Sequence, residues 1–530
     1  MAVASSSLFP KSPLLGLPDE LKLRICKELI AITTRSDALF GLYWTCHALR
    51  SLLSKTPDLW TYILIDKKTF NVRAARPVRT KRGAIRYNLW PGVRTILRLA
   101  GSRPISLTLW FEGQTSNQCY TLGRVIHPGH LHTLMWILHE RGFGSVRHLS
   151  VRCSLWSHID AILAFLSRRT VIFPMLERVD VACTGFGPEL DVIPFRQLNG
   201  VENPIFAPLH SSLTLGQYNI TRFPSLRSVL LDSIPIRPLS FIPSQLAVLS
   251  LTGVVMREYQ DFVAVLKANR NTLHTLEFFS DFLLDDEKEV TTLPVTLPVT
   301  LPVTLPNVYN LSLGVFDPMH VTCLVELLIL PGLKNLSIED KWNGTGVFFQ
   351  TSYKHKGKPD DIRHDFMEMY ETMIKRWPLA QVTYLKIVHG IFYETRENLG
   401  YLLGKSRKER VDWAPIPIAS MFFAEFRSLE TLETWKPNRS IVRALFNRPY
   451  RYDEMKHTFE VIHPPPLPAL QRWLVDGWNI CGCLVWREDG KKQLGKVISK
   501  MKDEVEPTRN ESGERYVVCE ACSFSTAIRK

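Results

Sequence analysis

Pro331-Gly332-Leu333-Lys334-Asn335-Leu336-Ser337-Ile338 repeats, class by class, the segment Pro306-Asn307-Val308-Tyr309-Asn310-Leu311-Ser312-Leu313. Each is a proline, one free position, and then apolar residues at the first, fourth and sixth places. Pro174 with Leu176, Val179 and Val181, Pro224 with Leu226, Val229 and Leu231, and Pro468 with Leu470, Trp473 and Val475 follow the same rule. The pattern returns without proline at Val146-Leu149-Val151, Leu246-Leu249-Leu251, Leu273-Leu276-Phe278, Val382-Leu385-Ile387 and, degraded, Leu429-Leu432. A strand whose fourth and sixth residues point inward fits this spacing, and a proline just ahead of it breaks any preceding helix. Ten such strands are therefore predicted.

The copies start at uneven intervals, several of them 20, 25, 27 or 30 residues, which suits one strand plus one return. Returns with helical spacing run from Ile159 to Leu166 and from Tyr259 to Leu266, the second with Phe262, Val263 and Leu266 on one side. Long insertions separate Gly185 from Phe223, Asp340 from Gln381 and Gly390 from Arg427. A doubly wound parallel sheet also alternates strands and helices, but near-identical strand segments favour a stack of neighbours.

The third and fifth positions of each strand point outward, so they line one face. The residues expected to meet a partner there are His148, Arg178, Asp180, Thr275, Glu277, Asn310, Asn335, Tyr384 and Lys386, with Thr431 and Glu433 beyond them. The row is mixed in charge and mostly small and polar in its middle, which suits many modest contacts with a protein segment.

The N-terminal end reads differently. Pro18 suits the first helical position, and Asp19 and Glu20 set negative charge against the positive end of the helix dipole. Leu21, Ile25 and Leu29 recur every four residues as one stripe. Ser36 is placed to cap a second helix carrying Leu39, Leu42, Tyr43, Cys46, Leu49 and Leu52, which Pro57 stops. Two helices this short cannot bury both stripes in each other.

Leu17-Pro18, Asp19-Glu20, Ile25, Leu29, Cys46-His47 and Leu59-Trp60 follow the pattern of the F-box, which this segment resembles; Leu49 stands where the family often carries Trp. The resemblance implies docking on the adaptor subunit, and through it the cullin scaffold, of an SCF ubiquitin ligase, with Leu17, Pro18, Leu21, Ile25, Leu29, Leu42, Cys46 and Trp60 as the adaptor-binding residues. An F-box followed by such strands resembles the large fungal group of F-box proteins with irregular leucine-rich repeats, and so implies a receptor for a protein substrate.

Composition agrees with a folded chain: 530 residues, 45% hydrophobic and 22% charged, allow a small module plus one extended or two compact domains. No run of eighteen uncharged apolar residues occurs, so no membrane segment is predicted and a cytoplasmic or nuclear protein is expected. The net charge of +14 is concentrated between Lys67 and Arg103, where eleven basic residues meet no acidic one. Only Phe70, Tyr87 and Trp90 are aromatic there, so nucleic-acid binding is not expected, and a basic linker leading into a helix from Trp90 to Leu99 is the simpler reading. A scaffold or nucleic-acid-associated repeat protein using this segment is the second reading.

Leu-Pro-Val-Thr occurs three times between Leu293 and Thr304; a proline every fourth residue excludes a helix and predicts an extended surface loop. Gly400 to Ser406 has three residues between its glycines where a phosphate loop needs four, and His139-Glu140 lacks a second His four residues on. Cys481, Cys483, Cys519 and Cys522 are spaced poorly for zinc, and the isolated cysteines elsewhere read as reduced thiols. No catalytic residue, metal or cofactor is assigned.

The fold class expected is α/β: a small N-terminal helical F-box over 14–62, a basic linker and helix over 63–100, an irregular leucine-rich-repeat solenoid of parallel strands with helical or irregular returns over 101–485, and a charged cap and tail over 486–530.

Overall fold

The computed structural model describes residues 13–33, 36–66, 77–79, 85–87, 91–111, 143–154, 159, 162, 166, 172–184, 222–233, 235–236, 245–256, 259–282, 302–315, 318–340, 359–388, 418–435, 441, 444–445, 450–453, 458–461, 467–475, 478–481 and 515–516. The basic run Arg79 to Arg82, apart from Arg79 itself, lies outside them, as do Gly400 to Ser406, His139, Cys483, Cys519, Cys522 and the first two Leu-Pro-Val-Thr copies. The chain divides into two compact units, Met1–Ile234 with Ser240–Leu246, and Pro235–Leu239 with Ala247–Lys530.

In the first unit, α1 (Asp19–Thr33) is followed by a 3-10 turn (Ser36–Leu39), α2 (Phe40–Thr45), α3 (His47–Ser54) and a second turn (Pro57–Trp60). The second helix is therefore not continuous. Cys46 is extended, with φ −152° and ψ 162°, and its Sγ accepts the Leu49 amide at 3.5 Å, so the thiol caps α3 where the single helix was expected to run on. Ser36 is not the expected cap either: its hydroxyl accepts the amide of Tyr62 at 3.0 Å and ties the module to the first strand. Cys26, Ile30, Leu39, Tyr43, Leu49, Leu53, Leu59 and Trp60 form the module's core.

Among the described residues, five parallel strands follow in this unit, in chain order: β1 (Tyr62–Asp66), β2 (Ile105–Phe111), β3 (Val146–Cys153), β4 (Arg178–Cys183) and β5 (Ser228–Asp232). The sheet thus begins inside the segment read as a linker, because Ile63 and Ile65 supply two inward apolar residues that β2 covers by pairing. Helix α4 (Pro91–Ala100) makes the return between β1 and β2, and Gly101, at φ 61°, ends it.

Among the described residues the second unit holds seven parallel strands of four residues or more: β6 (Val248–Met256), β7 (Thr275–Phe282), β8 (Asn310–Val315), β9 (Asn335–Asp340), β10 (Tyr384–Val388), β11 (Thr431–Trp435) and β12 (Arg472–Val475), with the short Pro235–Ile236 parallel to the end of β6 and β13 (Trp478–Cys481) antiparallel to β12. Returns are helical at α5 (Tyr259–Ala268), α6 (Pro318–Leu327), α7 (Pro359–Arg376) and α8 (Ile418–Ala424). Within this unit α6 packs on α7 and α7 on α8, where the rings of Tyr370 and Phe422 meet edge to face at 4.9 Å.

Register explains why the strand pattern is so uniform. Leu311 pairs with Leu336 and Leu336 with Leu385, while Leu313 pairs with Ile338 and Ile338 with Ile387, so two apolar rows run unbroken under the sheet. All six are buried, each worth roughly 1.5–3 kcal/mol against exposure. The turns are stitched as well: the amides of Asn335, Thr383, Glu430 and Gln471 donate to the carbonyls of Tyr309, Lys334, Thr383 and Glu430, at 2.8 to 2.9 Å. Side chains extend this, Ser225 Oγ donating to Pro174 O and Asn307 Nδ2 to Asn271 O, both at 2.7 Å.

The last Leu-Pro-Val-Thr copy departs from the expected loop. Val303–Thr304 pairs in parallel with Leu328–Ile329, and Val303 and Leu305 are buried. Proline lacks an amide hydrogen only at its own position, so Val303 and Thr304 remain free to pair. Among the described residues no helix is long and apolar enough to cross a membrane.

Candidate functional site

Helix α1 is apolar on two sides. Cys26 and Ile30 face the module's core, while Leu21 and Ile25 are 45% and 43% exposed and Ile32 is 80% exposed. With Leu17, Arg24, Glu28 and Leu29 they line one open concave patch. The spacing of 21, 25, 29 and 32 keeps these side chains on one face of the helix, and nothing in the chain's described residues covers it. Isolated exposed leucines are ordinary, whereas these apolar side chains are contiguous and rimmed by Arg24 and Glu28.

The eight residues named for this surface divide. Leu17, Leu21, Ile25 and Leu29 line the patch, and Pro18 is exposed at its start. Leu42 is half-buried on α2, and Cys46 is engaged as a cap. Trp60 does not belong: it is fully buried, its indole N–H donates to Leu53 O at 2.9 Å, and Phe40 and Tyr43 pack on it at 5.6 Å. A Trp in a short helical module is its largest source of burial, so it goes to the core. Ile32 was missed, although its place three residues after Leu29 continues the stripe.

The outward sheet positions form a second candidate surface in each unit. In the first, register aligns Ser106, His148, Arg178 and Ser228 in one row and Thr108, Ser150, Asp180 and Leu230 in the next. Ser106 Oγ lies 3.3 Å from His148 Nδ1, and Arg178 lies 3.9 Å from Asp180. Burial, and then the charges of Arg147 and Arg178, hold the His148 imidazole below its ordinary pKa against the opposing pull of Glu177. Trp110 is exposed beside Arg152, whose guanidinium lies 6.0 Å from the ring centroid.

In the second unit the row is Val248, Thr275, Asn310, Asn335, Tyr384, Thr431 and Arg472, and the next is Ser250, Glu277, Ser312, Ser337, Lys386, Glu433 and Leu474. Asn310 Nδ2 donates to Thr275 Oγ1 at 3.2 Å, and Asn335 Nδ2 donates to Asn310 Oδ1. Glu433 accepts from Lys386 Nζ at 2.8 Å, from the Tyr384 hydroxyl and from Trp435 Nε1 at 2.5 Å. Burial and then the Glu433 hydrogen bond push the Tyr384 hydroxyl well above its ordinary pKa. Thr275, Glu277, Asn310, Asn335, Tyr384 and Lys386 are thus brought onto one surface, whereas His148, Arg178 and Asp180 belong to the other unit. Trp435 was missed; its place two residues after Glu433 on the same strand is the signal that could have found it.

The two units and the helical module together define a mixed α/β protein in which, among the described residues, five parallel strands of four residues or more lie in one unit and seven in the other. No family model and no curated protein matches the chain. A structural-genomics crystal structure of a Bacteroides fragilis protein aligns at 12% identity over 69% of this chain and 85% of that one, with a TM-score of 0.24, too slight a likeness to bear on fold or function.

Proposed function

We propose that the chain is the substrate-recognition subunit of an SCF-type ubiquitin ligase, docking on the adaptor through the outer face of α1 and binding a protein substrate on its sheet faces. The observation that carries this reading is the uncovered stripe Leu21, Ile25 and Ile32 on a helix whose opposite side is already buried. An amphipathic helix that has satisfied its own core keeps a second apolar face only at a cost in solubility, which a partner surface offsets. Leu17, Ile25 and Leu29 of the F-box pattern line the same patch, which supports the choice of partner.

The sheet faces suit the other half of the role. They offer hydrogen-bonding amides, hydroxyls and half-buried charges at regular strand spacing, which suits many modest contacts with a protein segment. Ubiquitin transfer then belongs to the recruited subunits. Co-purification with the SCF adaptor tests the reading: it is lost in Leu21→Lys with Ile25→Lys while the thermal melt is unchanged, and failure of the unaltered chain to bind the adaptor refutes it.

A further inference from the structure

We infer that Glu277 and Phe279 form a seat for a Lys or Arg side chain of the partner protein, in register with a seat that the chain fills for itself at Glu433 and Trp435. The inference rests on the sheet face of the second unit being the protein-binding surface. Glu433 and Trp435 are two residues apart on β11 and so share a face. Lys386, paired with Glu433 on the adjacent strand, puts its ammonium 2.8 Å from the carboxylate and 5.8 Å from the Trp435 ring centroid. At this point of the sheet a carboxylate followed at two residues by an aromatic ring holds a cation.

Strand β7 repeats that arrangement at Glu277 and Phe279, and pairing through Ser312, Ser337 and Lys386 places Glu277 in the same row as Glu433. Two things differ: the Phe279 ring has no N–H to donate to the carboxylate as Trp435 does, and the neighbours are others. The residues registered with Glu277 on the two flanking strands are Ser250 and Ser312, neither of which brings charge. Among the described residues no Lys or Arg forms an ion pair with Glu277, although the side chain is half-buried. A partly desolvated carboxylate gains from a counter-ion.

The aromatic half packs against the neighbouring strand. Phe279 lies against Gly314, where an added Cβ would stand 2.6 Å from the ring. Short serines on both sides leave room over the sheet face for a long side chain to reach Glu277, where it would be placed toward the Phe279 ring as Lys386 is toward that of Trp435. The chain's net charge of +14 opposes a basic partner only at long range, since charges farther apart than about 8–10 Å are screened at physiological salt.

Random peptides displayed on phage, selected on the full chain at roughly 0.15 M salt, test the seat. The pool recovered on the unaltered chain is enriched in Lys or Arg at one position. That enrichment falls several-fold on Glu277→Gln, an isosteric change checked by an unchanged melt, and turns to Asp or Glu on Glu277→Lys. A pool without Lys or Arg enrichment, an empty pool, or enrichment that Glu277→Gln leaves intact overturns the inference. Adaptor co-purification is independent of all these results, so failure of the seat is distinguished from failure of the receptor reading.

Discussion

Lys386 and Glu433, 47 residues apart in the chain, meet at 2.8 Å across two neighbouring strands because β10 and β11 pair in register at those positions. The carboxylate also takes the indole N–H of Trp435 and the hydroxyl of Tyr384, so one acid organises three side chains on the exposed face. Burial alone would raise the Glu433 carboxyl. The donors Lys386, Trp435 and Tyr384 outweigh it and hold the pKa below the ordinary 4.5.

A depressed carboxyl contributes stability that is present above its unfolded value and lost as pH falls through the folded one. Glu433→Gln is therefore less stable than the unaltered chain near neutral pH, by a fraction of about 1 kcal/mol because the site is partly solvated. The gap closes below pH 4.5. Melting temperatures of the two proteins measured across that window check it; a gap that stays constant with pH contradicts the assignment.

Gly314→Ala and Gly332→Ala both destabilise, and the second more. At Gly314 the new methyl would meet the Phe279 ring at 2.6 Å and the Phe279 Cα at 3.0 Å, whereas at Gly332 it would meet the Pro306 carbonyl oxygen, which is backbone, at 2.7 Å. A ring can swing aside in part, and a turn stacked between two strands cannot. Overpacking of this kind costs about 1–3 kcal/mol. Gly41→Ala on α2, with nothing within 4 Å, is the control and gains up to about 1 kcal/mol from helix propensity. Urea midpoints rank the three.

Trp60→Ala costs about 3–5 kcal/mol, the range for emptying an aromatic core site. It removes the packing of Phe40 and Tyr43 and the hydrogen bond to Leu53 O. Leu21→Ala, at a side chain 45% exposed, stays within about 0.5 kcal/mol. Equal losses in the two variants would mean that the stripe on α1 is covered.

Cys153 and Cys183 are paired in register on adjacent strands and are both buried. Burial, and then Cys183, push the Cys153 thiol far up, and alkylation needs the thiolate. Iodoacetamide followed by peptide mass mapping finds Cys153 unmodified in the native protein and modified once urea unfolds it. Labelling of native Cys153 as fast as that of the half-buried Cys323 would exclude this packing.

Some of this was decided within a few residues. Apolar places at the first, fourth and sixth positions after Pro306 and Pro331 define strands, because inward and outward positions alternate locally whatever the strand packs against. The constant offset from turn to strand then gives Asn310 and Asn335 the same place in their own strands, which pairing brings side by side. The start of α1 and its stripe at Leu21 and Ile25 were legible for the same reason, since capping and helical periodicity act within one or two turns.

Other choices were made only when distant residues met. Ser36 had a helix cap and the Tyr62 amide to choose between, and β1 takes the hydroxyl. Trp60 had a partner surface and a core to choose between, and Phe40, Tyr43 and the Leu53 carbonyl take the ring. Glu433 found Lys386 while Glu277 found serines, although both sit in the same strand pattern, because what faces an outward residue depends on which strand becomes its neighbour and in what register. Local propensity sets which way a side chain points; only tertiary pairing sets what it meets there.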